Sequence, residues 1–392
     1  MEPKRLTVFI GVIALIAAAC GGPSATVRPS TAASAAPSTA PSATPTAEPT
    51  DEPTDEPTAA PTDAPTDAPT DAPSEPPTAV TCEDTTVNFE LSFIPNVQHA
   101  GFLVAANRGY YEEEGLTVNM IPASQTGVTQ DVADGTVDMG QVDYVDIVEA
   151  RNGGVPIKAV AQIYKDPFFF WYAEGDSGIE TVADWAGKRV GAIQLGDYPE
   201  RDAMMLEAGL DPDTDITVVE QDFGTEDFIA GNVDIGEGVV FYHPAYLIGV
   251  DERQFPDEFN VFTPAELGAD FASQTIAATD EYIAANSDTI TCFLRASIRG
   301  WQDAFTDPAA AVTDTMVYVP PGAIPEPHQQ GAIHSVLPIV GTGADDSTLL
   351  APTPDEYAST LQQLLDVGYL EEVPPVEDTF DSGPYDALGT AP

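Results

Sequence analysis

Residues 91–122 read LSFIPNVQHAGFLVAANRGYYEEEGLTVNMIP, and this stretch decides the fold class. Its start, with the residues just before it, alternates over 87–93 as a half-buried β-strand does. Apolar side chains at helical spacing predict a helix over 99–114, which Gly115 ends. A second strand is predicted over 116–121. Strand, helix and strand in this order predict an α/β fold with a parallel sheet.

The same alternation continues along the chain. Further strands are predicted at 137–140, 157–163, 168–173, 189–193, 216–219 and 239–242, with helices at 129–133, 144–151, 200–207 and 227–230. A strand at 274–278 then precedes mainly helical segments at 288–305, 308–317 and 355–367. Because so long a region exceeds one hydrophobic core, two lobes are expected. We place lobe I at 82–166 and 268–392, and lobe II, inserted into it, at 167–267.

The N-terminal part differs in composition from the rest. Residues 1–20 begin with a basic pair, continue with an apolar run over 6–19 and end at Cys20, which is typical of an export signal. The small residues before that cysteine resemble a bacterial lipobox, in which the cysteine is lipidated; cleavage and secretion without lipid is the alternative. Residues 21–81, rich in Pro, Thr, Ala and Asp, lack the apolar side chains that folding requires. They predict a disordered tether.

The charge of the chain is strongly negative. It has 13 basic and 64 acidic residues, for a formal net charge of −51. Such a surface repels nucleic acid and anionic lipid, which excludes both as expected partners. It also makes an anionic substrate less favoured, although one local pocket can override the global field.

The three cysteines have two different expected roles if the protein is exported. Cys20 belongs to the signal, which leaves Cys82 and Cys292 for a possible disulfide in an oxidising compartment. Two separate buried thiols are the alternative.

The motifs of the common enzyme classes are missing from the sequence. It contains no GxSxG elbow, no HExxH pair, no GxxxxGK[ST] loop, and no GxGxxG that opens a helix after a strand. The four histidines, at 99, 243, 328 and 334, do not have metal-ligand spacing. The alternating aspartates at 211, 213 and 215 are similar to a calcium loop, but Ile216 occupies the position that needs glycine. We therefore predict no metal and no cofactor.

Several runs, in the same order, resemble the thiamine-pyrimidine-binding solute receptors. The opening run at 91–122 is followed by GTVDMGQVDYVDIVEARNGGVPIKAVA at 135–161, SGIETVADWAGKRVGAIQLG at 177–196 and GNVDIGEGVVFYHPAY at 231–246. A later helical segment at 275–312 is similar as well. The wider relatives of these receptors bind alkanesulfonates, nitrate and riboflavin.

The resemblance implies a periplasmic-binding-protein fold of type II, in which two α/β lobes close about a hinge on a ligand in the cleft between them. Ligands of such folds meet the carboxyl ends of the strands. The positions that match the cleft of this family are Asn96, His99, Asp143, Tyr144, Asp166, Phe168, Phe169, Gln194, Asp197, Tyr198, Glu237 and Tyr242.

The chemistry of these residues favours a flat nitrogen heterocycle. Aromatic faces stack on planar rings, and amide or carboxylate groups pair with ring nitrogens and amines. The set lacks the arginine or lysine that a sulfonate would favour. Each position also has a structural reading: His99 as a residue at a helix start, Phe168 and its neighbours as hinge packing.

An enzyme of the same superfamily is the main alternative of another kind. Fungal thiamine-pyrimidine synthases carry a lysine, a histidine and a cysteine-rich patch; here those positions read Val142, Asp146 and FASQTI at 271–276. We therefore expect a receptor and not an enzyme.

The expected receptor is a lipid-anchored monomer outside the cytoplasmic membrane, working with an ABC permease and its ATPase. The alternatives are a receptor of this fold for riboflavin or an oxoanion, or a sensor that does not transport.

Overall fold

The computed structural model describes residues 80–82, 84–193, 198–251 and 255–389, with backbone alone at 248–251. The predicted signal peptide, Cys20 and nearly all of the predicted tether lie outside the described residues, as do Gln194 and Asp197. Within the described ranges, no helix is both long and apolar enough to cross a membrane.

The described part alternates strands and helices as predicted, with a helical C-terminal third. Its strands are β1 (Thr85–Glu90), β2 (Leu116–Ile121), β3 (Met139–Asp143), β4 (Ile157–Gln162), β5 (Phe169–Glu174), β6 (Arg189–Ala192), β7 (Thr217–Glu220), β8 (Gly236–Val239), β9 (Phe259–Phe262) and β10 (Gln274–Thr279). Its α-helices are α1 (Ala100–Asn107), α2 (Tyr110–Glu113), α3 (Val128–Ala133), α4 (Tyr144–Asn152), α5 (Pro199–Glu207), α6 (Glu226–Ile229), α7 (His243–Asp251), α8 (Asp280–Thr306), α9 (Pro308–Met316), α10 (Glu326–Val340), α11 (Pro354–Asp366) and α12 (Gly383–Asp386).

The single helix predicted over 99–114 is wrong. Gly109 adopts a left-handed conformation, with φ of 77°, and separates α1 from α2. Glycine has no Cβ, so it takes this conformation at little steric cost, and the chain turns there. The two short helices still deliver the chain to β2 as predicted.

The large sheet has the strand order β2-β1-β3-β10-β4. β1 runs parallel to β2 and β3, as predicted, whereas β10 runs antiparallel to β3 and β4. The reversal follows from the path of the chain. The chain leaves the sheet at the carboxyl end of β4 and returns at that same end of the strands, between β3 and β4, so the returning strand runs in the opposite direction.

The second lobe contains the sheet β8-β5-β9 and the parallel pair β6-β7. β5 runs antiparallel to both of its neighbours, so the predicted parallel pairing is found in this lobe in the β6-β7 pair and not in the sheet β8-β5-β9. The reason is the same as for β10, because β5 is the strand that enters from the other lobe. The predicted boundaries at 166 and 268 fall in the connections between β4 and β5 and between β9 and β10, and they stay predictions.

The helices of the large-sheet lobe pack tightly. The buried glycines Gly101 of α1 and Gly300 of α8 meet where these helices cross, and Trp301 lies against Gly101. A disulfide joins Cys82 to Cys292 in α8, which is the pairing that the sequence favoured. The segment that leads into β1 is therefore covalently attached to the long helix.

Candidate functional site

A cavity of about 560 Å³ lies between the two lobes, where β3 ends and β5 and β10 begin. The N-terminal turns of α4 and α5 also reach it. Residues of the large-sheet lobe contribute most of the wall: Ser92, Ala123, Ser124, Gly127, Val128, Thr129, Gln141, Val142, Asp143, Val145, Asp146, Glu149 and Gln274. The second lobe contributes Phe168, Phe169, Tyr198, Pro199 and Glu200. This volume suits a small organic molecule.

Three aromatic side chains form one wall. The ring centroids of Phe168 and Phe169 are 4.2 Å apart, and the Tyr198 ring meets Phe169 edge-on at 5.6 Å. Both phenylalanines are half-buried, so part of each ring is available to a ligand. Aromatic faces of this kind stack on planar rings.

Two buried amides lie opposite. The Gln141 Oε1 atom is 2.7 Å from His99 Nδ1, and Gln274 Nε2 donates to Asp143 Oδ2 at 3.2 Å. The other polar atoms of the three cavity residues, Gln141 Nε2, Gln274 Oε1 and Asp143 Oδ1, are buried and have no hydrogen-bond partner within the described ranges. An unsatisfied buried polar group costs about 1–3 kcal/mol, so a ligand that pairs with these atoms would recover that free energy.

Carboxyl groups give the cavity its electrostatic character. Burial, and then repulsion from Asp146 and Glu200, raises the pKa of Asp143 well above its usual range. Burial followed by repulsion from Glu149 raises the pKa of Asp146 to about 6. Burial chiefly raises the pKa of Glu200 to about 7. The described wall of the cavity thus holds several acids and no basic side chain, although Arg201 next to Glu200 lowers the pKa of that acid in part.

Four of the predicted site residues line this cavity: Asp143, Phe168, Phe169 and Tyr198. Asp143 ends β3, Phe168 and Phe169 lie at the start of β5, and Tyr198 precedes α5. All four positions were predicted from the resemblance to the receptor family. As ligand contacts, they stay predictions.

Three others lie inside the large-sheet lobe, where they have structural roles. Asn96 accepts from Gln98 N–H and caps the short turn over Val97–His99. The His99 ring is fully buried, and burial lowers its pKa to about 3, so it is neutral. The Tyr144 hydroxyl lies 2.6 Å from Thr379 Oγ1 and its ring stacks on Tyr357. None of the three lines the interlobe cavity: His99 and Tyr144 point into the core, and Asn96 lines a separate small pocket with Phe223 and Tyr242 of the second lobe. As ligand contacts, these three also stay predictions.

The remaining described residues are also displaced from the cavity wall. Asp166 is exposed near Asp270, and Tyr242 packs against Phe223 and His328, each with a centroid distance of 4.7 Å. Glu237 lies behind Tyr198, whose hydroxyl bonds to its carboxyl group.

The residues that sequence reasoning did not select are the amides Gln141 and Gln274 and the acids Asp146, Glu149 and Glu200. Asp146 follows Asp143 by one helical turn, which is a signal that could have identified it. The amides lie within strands, and only the pairing of β3 with β10 brings them together.

A larger cavity, of about 860 Å³, lies beyond Glu149 and contains none of the phenylalanines. Its polar groups are already paired in part: Tyr369 donates to Asp202 at 3.0 Å, and Asp213 N–H donates to Asp211 at 3.0 Å. The aromatic and amide chemistry is in the interlobe cavity, which we take as the site.

Comparison with known proteins places this geometry in context. The sequence profile described as "NMT1/THI5 like" matches residues 96–311, more than half of the chain. The riboflavin-binding protein RibY of Chloroflexus aurantiacus is 29% identical over 60% of this chain and 66% of its own length. A 4-amino-5-hydroxymethyl-2-methylpyrimidine phosphate synthase of Aspergillus parasiticus is also 29% identical, over 54% and 65%. The chain therefore spans just under two thirds of these relatives. The formylaminopyrimidine-binding protein of Halalkalibacterium halodurans is 24% identical over 58% and 68%.

Solved structures agree on the fold. The periplasmic aliphatic sulphonate binding protein SsuA of Escherichia coli aligns with a TM-score of 0.56 at 15% identity, over 75% of this chain and 91% of that protein. The periplasmic nitrate-binding protein NrtA of Synechocystis aligns with a TM-score of 0.57 at 13% identity, over 79% and 89%. The two-lobed periplasmic-binding-protein fold predicted from the sequence is confirmed.

Proposed function

The chain belongs to the NMT1/THI5-like family, and from that membership we propose that it is the solute-binding component of an ABC importer. In this proposal it captures a small planar nitrogen heterocycle outside the cytoplasmic membrane. It then delivers the heterocycle to a permease that a cytoplasmic ATPase drives. Lipidation of Cys20 would hold it at the membrane surface.

The observation that carries the proposal is the pairing of an aromatic wall with unpartnered amides in one cavity. Phe168, Phe169 and Tyr198 offer flat apolar surface, while Gln141 and Gln274 offer a buried donor and a buried acceptor. A flat ring with both acceptor and amine groups at its edge would satisfy both walls at once. A purely aliphatic ligand would leave the amides unpaired.

An oxoanion fits this cavity poorly. Its described wall contains carboxylates and neither lysine nor arginine, which are the side chains that bind sulfonate and nitrate groups best. Riboflavin remains a second candidate, because its flat ring system has the same chemistry and RibY is among the similar proteins.

A synthase activity is not part of the proposal. The positions where the fungal synthases carry lysine and histidine are Val142 and Asp146 here, and both line the cavity. The chemical groups of that enzyme are thus replaced by an apolar side chain and an acid at the same place.

A binding screen on the full chain tests the proposal. Isothermal titration with 4-amino-5-hydroxymethyl-2-methylpyrimidine, thiamine, riboflavin, nitrate and taurine should show binding of at least one heterocycle and of neither oxoanion. The variant Gln274→Leu should weaken heterocycle binding about 10- to 100-fold, because it removes a buried acceptor. Gln130→Leu, at an exposed position of α3, is the matched control. Binding of nitrate or taurine alone would contradict the proposal.

A further inference from the structure

We propose that the ligand of the interlobe cavity carries a positive charge, which it places against Asp143, Asp146 and Glu200. This inference rests on the proposed function and narrows it, from a planar heterocycle to a cationic one.

The first support is the composition of the cavity wall. Four carboxyl side chains line it, from Asp143, Asp146, Glu149 and Glu200, and none of its described residues is lysine, arginine or histidine. The described wall itself supplies no cation, so a positive charge in this cavity would have to be brought by the ligand.

The second support is that the two nearby arginines form ion pairs with carboxylates outside the cavity wall. Arg201, next to Glu200, has a side chain only 7% exposed and pairs with Asp202 at 2.7 Å. Arg151, at the far end of α4, pairs with Asp280 at 3.1 Å. Arg151 is thus matched by Asp280. Arg201, in contrast, has one buried nitrogen, Nη1, without a hydrogen-bond partner in the described ranges, and it offsets part of the charge of Glu200 and Glu237. The positive ends of α4 and α5 offset part of the acidic charge, but each amounts to only about half an elementary charge.

The third support is burial. Glu200 is 8% exposed, and the Oδ1 atom of Asp143 is buried without a hydrogen-bond partner in the described ranges. Asp146 and Glu149 are exposed, so the cost falls on Asp143 and Glu200, whose charged forms are poorly solvated and repel each other. A bound cation relieves both costs.

A cationic ligand would also give its affinity for the cavity a pH dependence of definite sign. The groups that face these acids are Asp146 and Glu149 of α4, Arg201 and Asp202 of α5, Glu237 of β8 and Gln274 of β10. Raised pKa values of about 6 for Asp146 and about 7 for Glu200 mean that these acids are partly protonated near neutrality. A cation stabilises their charged form, so binding should release protons and weaken below about pH 6.

The test uses two probes that share one ring. Thiamine joins an aminopyrimidine to a permanently cationic thiazolium, whereas 4-amino-5-hydroxymethyl-2-methylpyrimidine lacks that cation. Titration at pH 5.5, 7.0 and 8.0 in two buffers of different ionisation enthalpy measures both affinity and proton release. We expect thiamine to bind at least tenfold more tightly at pH 8.0, to weaken on acidification and to release protons at pH 7.0.

Isosteric variants locate the charge. At pH 8.0, where the pyrimidine is neutral, Glu200→Gln and Asp146→Asn should each weaken thiamine about tenfold and change the binding of the pyrimidine less than threefold. Glu207→Gln removes the same charge from the exposed end of α5 and should change neither. Circular dichroism of each variant checks that it is folded.

The outcomes separate the two proposals. If the neutral pyrimidine binds as tightly as thiamine and Glu200→Gln leaves thiamine unaffected, the charge proposal is wrong and the heterocycle receptor stands. If neither heterocycle binds to the folded chain, or only taurine or nitrate does, the proposed function itself is wrong.

Discussion

Glu237 shows how one buried acid behind the cavity sets a pH dependence of stability. Its side chain has no exposed surface, and one carboxyl oxygen accepts the Ile193 N–H at 2.7 Å while the other is buried without a partner in the described ranges. Burial raises its pKa to about 8, although Ile193 and the Tyr198 hydroxyl lower it in part. The folded chain therefore prefers this group uncharged.

The variant Glu237→Gln should be more stable than the wild type at pH 8.5, by about 1–3 kcal/mol. A carboxyl group whose pKa rises from 4.5 to about 8 on folding contributes stability that is fully present below pH 4.5 and is lost as the pH rises through 8. At pH 5 the two proteins should unfold at nearly the same urea concentration. Glu207→Gln, at an exposed position, should show no such pH-dependent gain, and an equal difference at both pH values would contradict this account.

α1 and α8 can cross closely because glycine, which has no side chain, stands on each helix at the crossing point. A Cβ placed at Gly300 would overlap the carbonyl oxygen of Gly101 and come within 2.9 Å of Ala105 N. Both obstacles are backbone, which cannot move without separating the helices. The two buried glycines therefore set the distance between α1 and the longest helix of the described part.

Gly300→Ala should destabilise the protein by about 2 kcal/mol or more, even though alanine favours helix by about 1 kcal/mol. Gly331→Ala, in α10, is the matched control, since its Cβ would lie 3.3 Å from a single methyl group, that of Ala245. The control should unfold within about 1 kcal/mol of the wild type. Thermal and urea unfolding measure both variants, and equal effects would show that the helix crossing tolerates a methyl group.

The disulfide constrains the chain as a whole, because it joins residues 210 positions apart. Closing so long a loop in the unfolded chain removes much of its conformational freedom. The double variant Cys82→Ser, Cys292→Ser should therefore lose about 4 kcal/mol of stability. Reduction with dithiothreitol should lower the melting temperature of the wild type similarly. Cys20→Ser keeps the bridge and should melt as the wild type does, whereas equal melting of all three proteins would contradict the prediction.

Local sequence signals predicted the order of the elements well, and they predicted the site in part. Asp143 and Phe168 were found because their positions match the cleft of the receptor family that the sequence resembles. His99 and Tyr144 were misplaced because sequence position does not reveal which side of a short helix faces the core. Gln141 and Gln274 were missed because they meet only through the pairing of β3 with β10.

The antiparallel directions of β5 and β10 could not be predicted from local sequence patterns. Apolar periodicity identifies a strand but is the same for parallel and antiparallel neighbours. What reverses these two strands is the crossing of the chain between lobes, which depends on contacts distant in sequence.

The place of β10 has a consequence for the synthesis of the protein. This strand fills the gap between β3 and β4, yet residues 163–273 separate it from β4 along the chain. Until the ribosome has made residue 279, the large sheet lacks an inner strand and β4 has no strand beside it. The second sheet, complete at Phe262, has no such delay. The inserted lobe can thus fold first, while the lobe that is begun first is finished last and stays open to chaperones until then.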